Sequence, residues 1–143
     1  MPRSIEREIR VEAAPEVVYE VLSSPEHLRE WWPDDADLEA KPGATGTVSF
    51  GESKVVALTV VEADPPRLFS FRWDYEGEVA TVENSLLVTF ELIPAGGGTL
   101  LRFAETGYDE SAKSDEVYHD HTSGWDYFLP KLPPYVDRLV SRP

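Results

Sequence analysis

With 143 residues, 41% of them hydrophobic and 28% charged, the chain is long enough to bury one core, and its composition is neither disordered nor membrane-like. Its 27 acidic against 13 basic residues give a formal net charge of −14, which repels nucleic acid phosphates and anionic lipid alike and reads as a solubility feature, a basic protein partner being the sharper alternative. Zero cysteines exclude disulfides, thiolate metal sites and cysteine nucleophiles; with no signal-like start in MPRSIEREIR and no spanning apolar run, the expectation is one cytoplasmic domain over residues 1–143.

Ile5, Arg7, Ile9 and Val11 alternate with Glu6, Glu8, Arg10 and Glu12, a period of two that predicts a half-buried strand. Arg7 then lies on the apolar side, where its head must reach water at a mouth, find a structural partner, or meet a ligand. Pro15 opens a short helix buried through Val17, Val18, Val21 and Leu22, and Ser24-Pro25 opens a second as cap and first helical residue. Trp31 and Trp32 end that helix at Pro33; two adjacent rings on one helical turn are expected to diverge, one inward and one near the surface. His27 reads as a solvated helix residue. Asp34, Asp35, Asp37 and Glu39 read as turn chemistry, since their spacing matches no EF-hand loop, and no metal site is expected.

From Gly43 the chain turns to strands. Gly46 to Phe50 and Lys54 to Val61 flank a short connection at Gly51, Glu52 and Ser53, and Asp64-Pro65-Pro66 breaks the pattern. Leu68 to Tyr75 follows, with Phe69, Phe71, Trp73 and Tyr75 on one face, then a turn at Gly77. Thr81 to Ile93 carries Leu86, Val88, Phe90 and Leu92 on one side. Gly96, Gly97 and Gly98 supply a hairpin turn rather than a phosphate cradle, because no helix follows them. The last strand carries Thr99, Leu101, Phe103 and Glu105 inward and ends at Gly107, so Glu105 brings a carboxylate into apolar surroundings, where it needs a donor or cation.

Glu110 to Val140 reads as one long amphipathic helix. Tyr118, His121, Thr122, Trp125, Phe128, Leu129, Leu132, Val136 and Leu139 form its stripe, with Asp115, Asp120, Asp126 and Lys131 off it. Pro130, Pro133 and Pro134 remove helical amides, predicting a kink near Pro130 or a second helix with Pro133 or Pro134 in its first turn. Either break would separate the His121 and Trp125 segment from the final one and could act as a hinge.

No H-E-x-x-H, Walker loop, dinucleotide fingerprint or G-x-S-x-G is present, and His119 and His121 lie two apart, on different helix faces, so they cannot chelate one ion. The one constellation with chemistry is His121 with Glu105. As a pair they satisfy each other inside the core; as a site, the carboxylate would orient the imidazole for acid/base work or for a ligand's polar end. No catalytic residue is assigned beyond these two candidates, and no cofactor is expected.

The order of strand, two short helices, antiparallel strands and long terminal helix, carried by AAPEVVYEVLSSPEHLREWW (13 to 32), EADPPRLFSFRW (62 to 73), GGGTLLRFAETGYDE (96 to 110) and SGWDYFLPKLPPYV (123 to 136), resembles the START-like superfamily, also called SRPBCC. More narrowly it resembles the bacterial proteins related to the activator of heat shock protein 90 ATPase. The resemblance implies an α+β helix-grip fold, a curved antiparallel sheet wrapped around the terminal helix, with an internal cavity that the superfamily uses for apolar molecules. Arg7, Phe69, Phe71, Trp73, Phe90, Phe103, Glu105, His121, Trp125 and Phe128 are the expected ligand-binding residues. The leading reading is a binder of a small apolar molecule. A chaperone partner or other protein is the alternative, and a cyclase- or hydrolase-type enzyme using the His-Glu pair is the third. The eukaryotic activator carries an upstream domain with much of the chaperone contact, whereas this sequence opens directly on its first strand.

Overall fold

Residues 3–32, 35–50, 54–73, 85–109 and 113–141 of the computed structural model are described. The first alternating segment forms β1 (Ile5–Val11), and the two proline-initiated segments form α1 (Pro15–Ser23) and α2 (Pro25–Trp31). Five further strands follow the expected order: β3 (Thr45–Phe50), β4 (Lys54–Asp64), β5 (Leu68–Trp73), β6 (Leu87–Ala95) and β7 (Gly98–Thr106), with a short β2 (Asp35–Asp37) before them. Among the described residues these make one curved seven-stranded antiparallel sheet in the order β1-β7-β6-β5-β4-β3-β2. The expected connections at Gly51 to Ser53 and Gly77, the strand ends at Tyr75 and Thr81, and Pro33, Asp34 and Glu110 lie outside the described residues.

Register explains why one face is apolar. Opposite Phe103 stand Arg7 on β1 and Phe90 on β6; Phe90 in turn faces Phe69, and Phe71 faces Val88 and Val60. From β1 to Val60 on β4 the period of two therefore keeps step across neighbouring strands, and the inward series read from sequence coincide on a single surface. A bulge between Val60 and Glu62 shifts the β4 register, and β4 runs to Asp64, three residues beyond the expected Val61. The hairpin between β6 and β7 turns on Gly96 and Gly97, both at positive φ (55° and 85°), as a two-residue primed turn requires.

The terminal segment is helical in two pieces. Ser114 caps α3 (Asp115–Phe128) by accepting from the Val117 amide at 3.2 Å, and Asp115 and Glu116 lie in the first turn, where negative charge suits the helix dipole. A 3-10 turn at Leu129–Lys131 holds Pro130 near its start, and α4 (Leu132–Ser141) places Pro133 and Pro134 in its first turn, where missing amides cost nothing. The helix begins later than the Glu110 read from sequence because the Ser114 cap fixes its start. The predicted stripe is the buried or half-buried one throughout, and Asp115, Asp120, Asp126 and Lys131 are exposed.

Four local expectations are corrected. Trp31 and Trp32 do not diverge: both are buried, at 1% and 6% exposure, with rings stacked 5.9 Å apart. Trp32 leaves the helix at φ −125°, ψ −95°, and this non-helical backbone swings its ring into the core. His27 is not solvated; its Nδ1 meets the Tyr135 hydroxyl at 2.7 Å and joins α2 to α4. Asp35 and Asp37 belong to an edge strand rather than a turn, with Asp35 accepting from Arg29 Nε at 2.6 Å. Ser24 stands at the start of α2, but its side chain makes no capping bond.

Candidate functional site

Glu105 is the inward residue near the end of β7, flanked by Ile5 on β1 and Val88 on β6, and it is 0% exposed. A carboxylate so placed loses its hydration and must be repaid by donors. Three converge on it. Trp73, at the end of β5, donates its indole N–H to Oε2 at 2.9 Å. Tyr108 donates its hydroxyl to Oε1, brought back under the strand by Gly107, whose φ of +102° ends the extended run. His121, one turn before Trp125 on α3, places Nδ1 2.8 Å from Oε1. Burial first, then the neighbouring Glu105 charge and hydrogen bond, push the Tyr108 phenol well above its ordinary range, so it stays protonated and keeps donating.

Of the three donors' side chains, His121 is a third exposed (33%), and its Nε2 has no partner among the described residues. Trp73 is half-buried as well, so the network reaches the surface at these two side chains; Phe50 on β3 and Phe128 at the end of α3, both half-buried, lie 5.9 Å apart. The arrangement joins an inaccessible carboxylate, an imidazole oriented by it, and an aromatic surround. Chemically it can accept a proton or hydrogen bond at Nε2 and stabilise the resulting imidazolium.

The other expected ligand-binding residues divide. Phe69, Phe71, Phe90, Phe103 and Trp125 are buried and packed in a shared aromatic core; the Trp125 ring lies 4.5 Å from Phe103 and stacks on Trp32 at 5.1 Å. Trp32 also touches Phe71, Trp73 and Phe50, and so links this core to the open side. Arg7 takes the structurally paired alternative: its Nε and Nη2 donate to the two Asp126 carboxylate oxygens at 2.9 and 3.2 Å, tying β1 to α3. That hydrogen bonding holds Asp126 below the usual carboxylate range. A separate groove of about 450 Å³ lies at the β2 and β3 edge, lined by residues including Leu38, Gly46 and Ala57, and Glu105 is not part of its lining. No group of three or more potential metal ligands occurs among the described residues.

Sequence reasoning missed two contributors. Tyr108 follows a strand end, where alternation stops carrying directional information; the only signal is the Gly107 that permits the reversal. Arg3 lies just ahead of the first strand, where no pattern marks it. It grips the segment after Tyr108 through Asp109 and Asp115, and donates to the carbonyls of Tyr108 and Lys113 at 3.3 and 2.6 Å. It therefore fixes both Tyr108 and the start of α3.

Among solved structures, protein MLL2253 from Mesorhizobium loti superposes with a TM-score of 0.81 at 25% identity, over 95% of this chain and 98% of that one. Protein BH1534 from Bacillus halodurans gives 0.72 at 26%, over 95% and 99%. The Aha1 dimer from Colwellia psychrerythraea gives 0.77 at 22%, over 94% and 96%, a likeness that speaks to the fold alone. No curated protein matches the sequence. No helix of the described residues is long and apolar enough to cross a membrane. The family model described as activator of Hsp90 ATPase homolog 1-like protein matches residues 12–137, and with the helix-grip architecture in agreement, the chain belongs to that START-like family.

Proposed function

We propose that the protein is a cytoplasmic binder of a small, largely apolar molecule, held between α3 and the outer half of the sheet against Phe50, Trp73 and Phe128, with its polar end at His121. The observation that carries this reading is the Glu105 carboxylate, fully buried yet accepting from three side chains, one of which reaches the surface among aromatic rings. A buried ionised network is commonly no more stabilising than a hydrophobic core of the same volume, so stability alone is a poor reason to keep one. A few placed polar groups in an aromatic surround are what small-molecule sites use.

A second reading has one observation in its favour. The family is described by an Hsp90 ATPase activator, so a chaperone could be the partner. Native mass spectrometry of the protein purified from its own host separates the two. The binding reading expects a co-purifying small molecule that is lost from Trp73→Ala. The partner reading expects no adduct, together with chaperone capture and stimulated ATPase turnover, and that combination would overturn the proposal.

A further inference from the structure

We infer that the molecule bound at this mouth carries an acidic hydroxyl, a phenol, enol or carboxylic acid, that donates to Nε2 of His121. The inference rests on the binding reading above and names the chemistry of its ligand. It follows from the donor count at Glu105. The Trp73 indole can only donate, and the Tyr108 hydroxyl donates to Oε1. We assign the proton of the third contact, His121 Nδ1 at 2.8 Å, to the ring, because carboxylate oxygens that already accept from Trp73 and Tyr108 are suited to a third N–H. With the proton fixed on Nδ1, a neutral ring offers its lone pair at Nε2, on the edge away from the carboxylate.

That lone pair is the single acceptor the dyad offers to a guest. Both Glu105 oxygens are occupied and the residue is 0% exposed, so the carboxylate itself is out of reach. The Tyr108 ring, 6.2 Å from the imidazole, is buried and its hydroxyl is already committed to Oε1. A hydroxyl brings one donor to one acceptor. An ammonium brings three N–H groups to that one acceptor, while an ether or a bare hydrocarbon leaves Nε2 unpaired. If the hydroxyl proton passes to Nε2, the ligand becomes an oxyanion and the ring an imidazolium. No other bond changes, and the new positive charge lies between the ligand oxyanion and the Glu105 carboxylate, which stabilise it from both sides. An acidic hydroxyl therefore suits the site on either side of that transfer.

Three probes of one shape test it: 2-naphthol, 2-methoxynaphthalene and naphthalene, titrated by ligand-observed NMR and calorimetry. The expected result is that 2-naphthol binds about tenfold or more tightly than the other two, the scale of one hydrogen bond to a charge-coupled group. His121→Phe, which keeps the ring and its apolar bulk, should remove that preference while naphthalene still binds. In the unaltered protein, nitrogen NMR of labelled histidine should place the free-state proton on Nδ1 and move the Nε2 resonance when 2-naphthol is added, a readout that does not depend on the variant folding. Equal binding of all three probes, or an unmoved Nε2 resonance, would overturn the hydroxyl inference and leave apolar binding standing. Binding by none of them would overturn both.

Discussion

Thr99, Leu101, Phe103 and Glu105 share one face of β7, and burying the last of them is tolerable only because its oxygens are filled. How much each donor matters can be read by truncation. Tyr108→Phe deletes one donor to a buried carboxylate and should cost about 1.5–3 kcal/mol in chemical denaturation, the range for hydrogen bonds to charged groups. The same substitution in a Glu105→Leu background should be neutral or stabilising, because the hydroxyl it removes has already lost its acceptor. An equal cost in both backgrounds would show that Tyr108 acts through packing and not through Glu105. At this scale the sequence was legible where periodicity reached. Alternation placed Glu105 inward, and helical spacing placed His121 on the buried stripe, so their meeting could be anticipated. Which atoms of Trp73 and Tyr108 complete the network could not, since periodicity gives the face of a residue and not the aim of its N–H or O–H.

The two halves of the terminal helix are held by different forces. α4 buries Leu132 and Val136. α3 buries Trp125, and it is tied to β1 and the residues just before it by polar links: Arg3 to Asp115, Tyr118 hydroxyl to the Ser4 carbonyl at 3.1 Å, and Arg7 to Asp126. Such exposed pairs are individually weak. Native-state hydrogen exchange should accordingly show α3 amides opening at lower free energy than those of β6, β7 or α4, with the change at Leu129–Lys131. Asp126, and Asp109 beside Arg3, are held below the ordinary carboxylate value of 3.8. Their contribution is therefore fully present above that value and fades as pH falls through the depressed one, so the contrast between α3 and α4 should widen below about pH 4. Uniform protection across both helices would remove the hinge. The prolines made the break readable, because a missing amide is a property of the residue itself. The joint burial of Trp31 and Trp32 was not readable, because it depends on the backbone Trp32 adopts after α2 ends.

For the whole molecule, the fold was the most legible level, since strand period, proline-started helices and a nine-residue stripe each exclude the others' structure and leave few ways to combine. The net charge of −14 was equally plain but says nothing of where the charges lie. In the structure many are paired at contact distance, as in Glu8 with Arg102 at 3.1 Å on the outward faces of β1 and β7. The acidic excess that remains repels over longer separations. These two ranges respond differently to salt. Screening length falls from about 10 Å at 0.1 M to about 3 Å at 1 M, so long-range repulsion is lost while contact pairs keep much of their attraction. Thermal denaturation in potassium chloride should therefore show Tm rising by about 2–5 °C across that range, a gain of order 1 kcal/mol for a domain of this size. A falling Tm would mean that the surface ion pairs outweigh the repulsion, and that the acidic excess is spread too thinly to strain the fold.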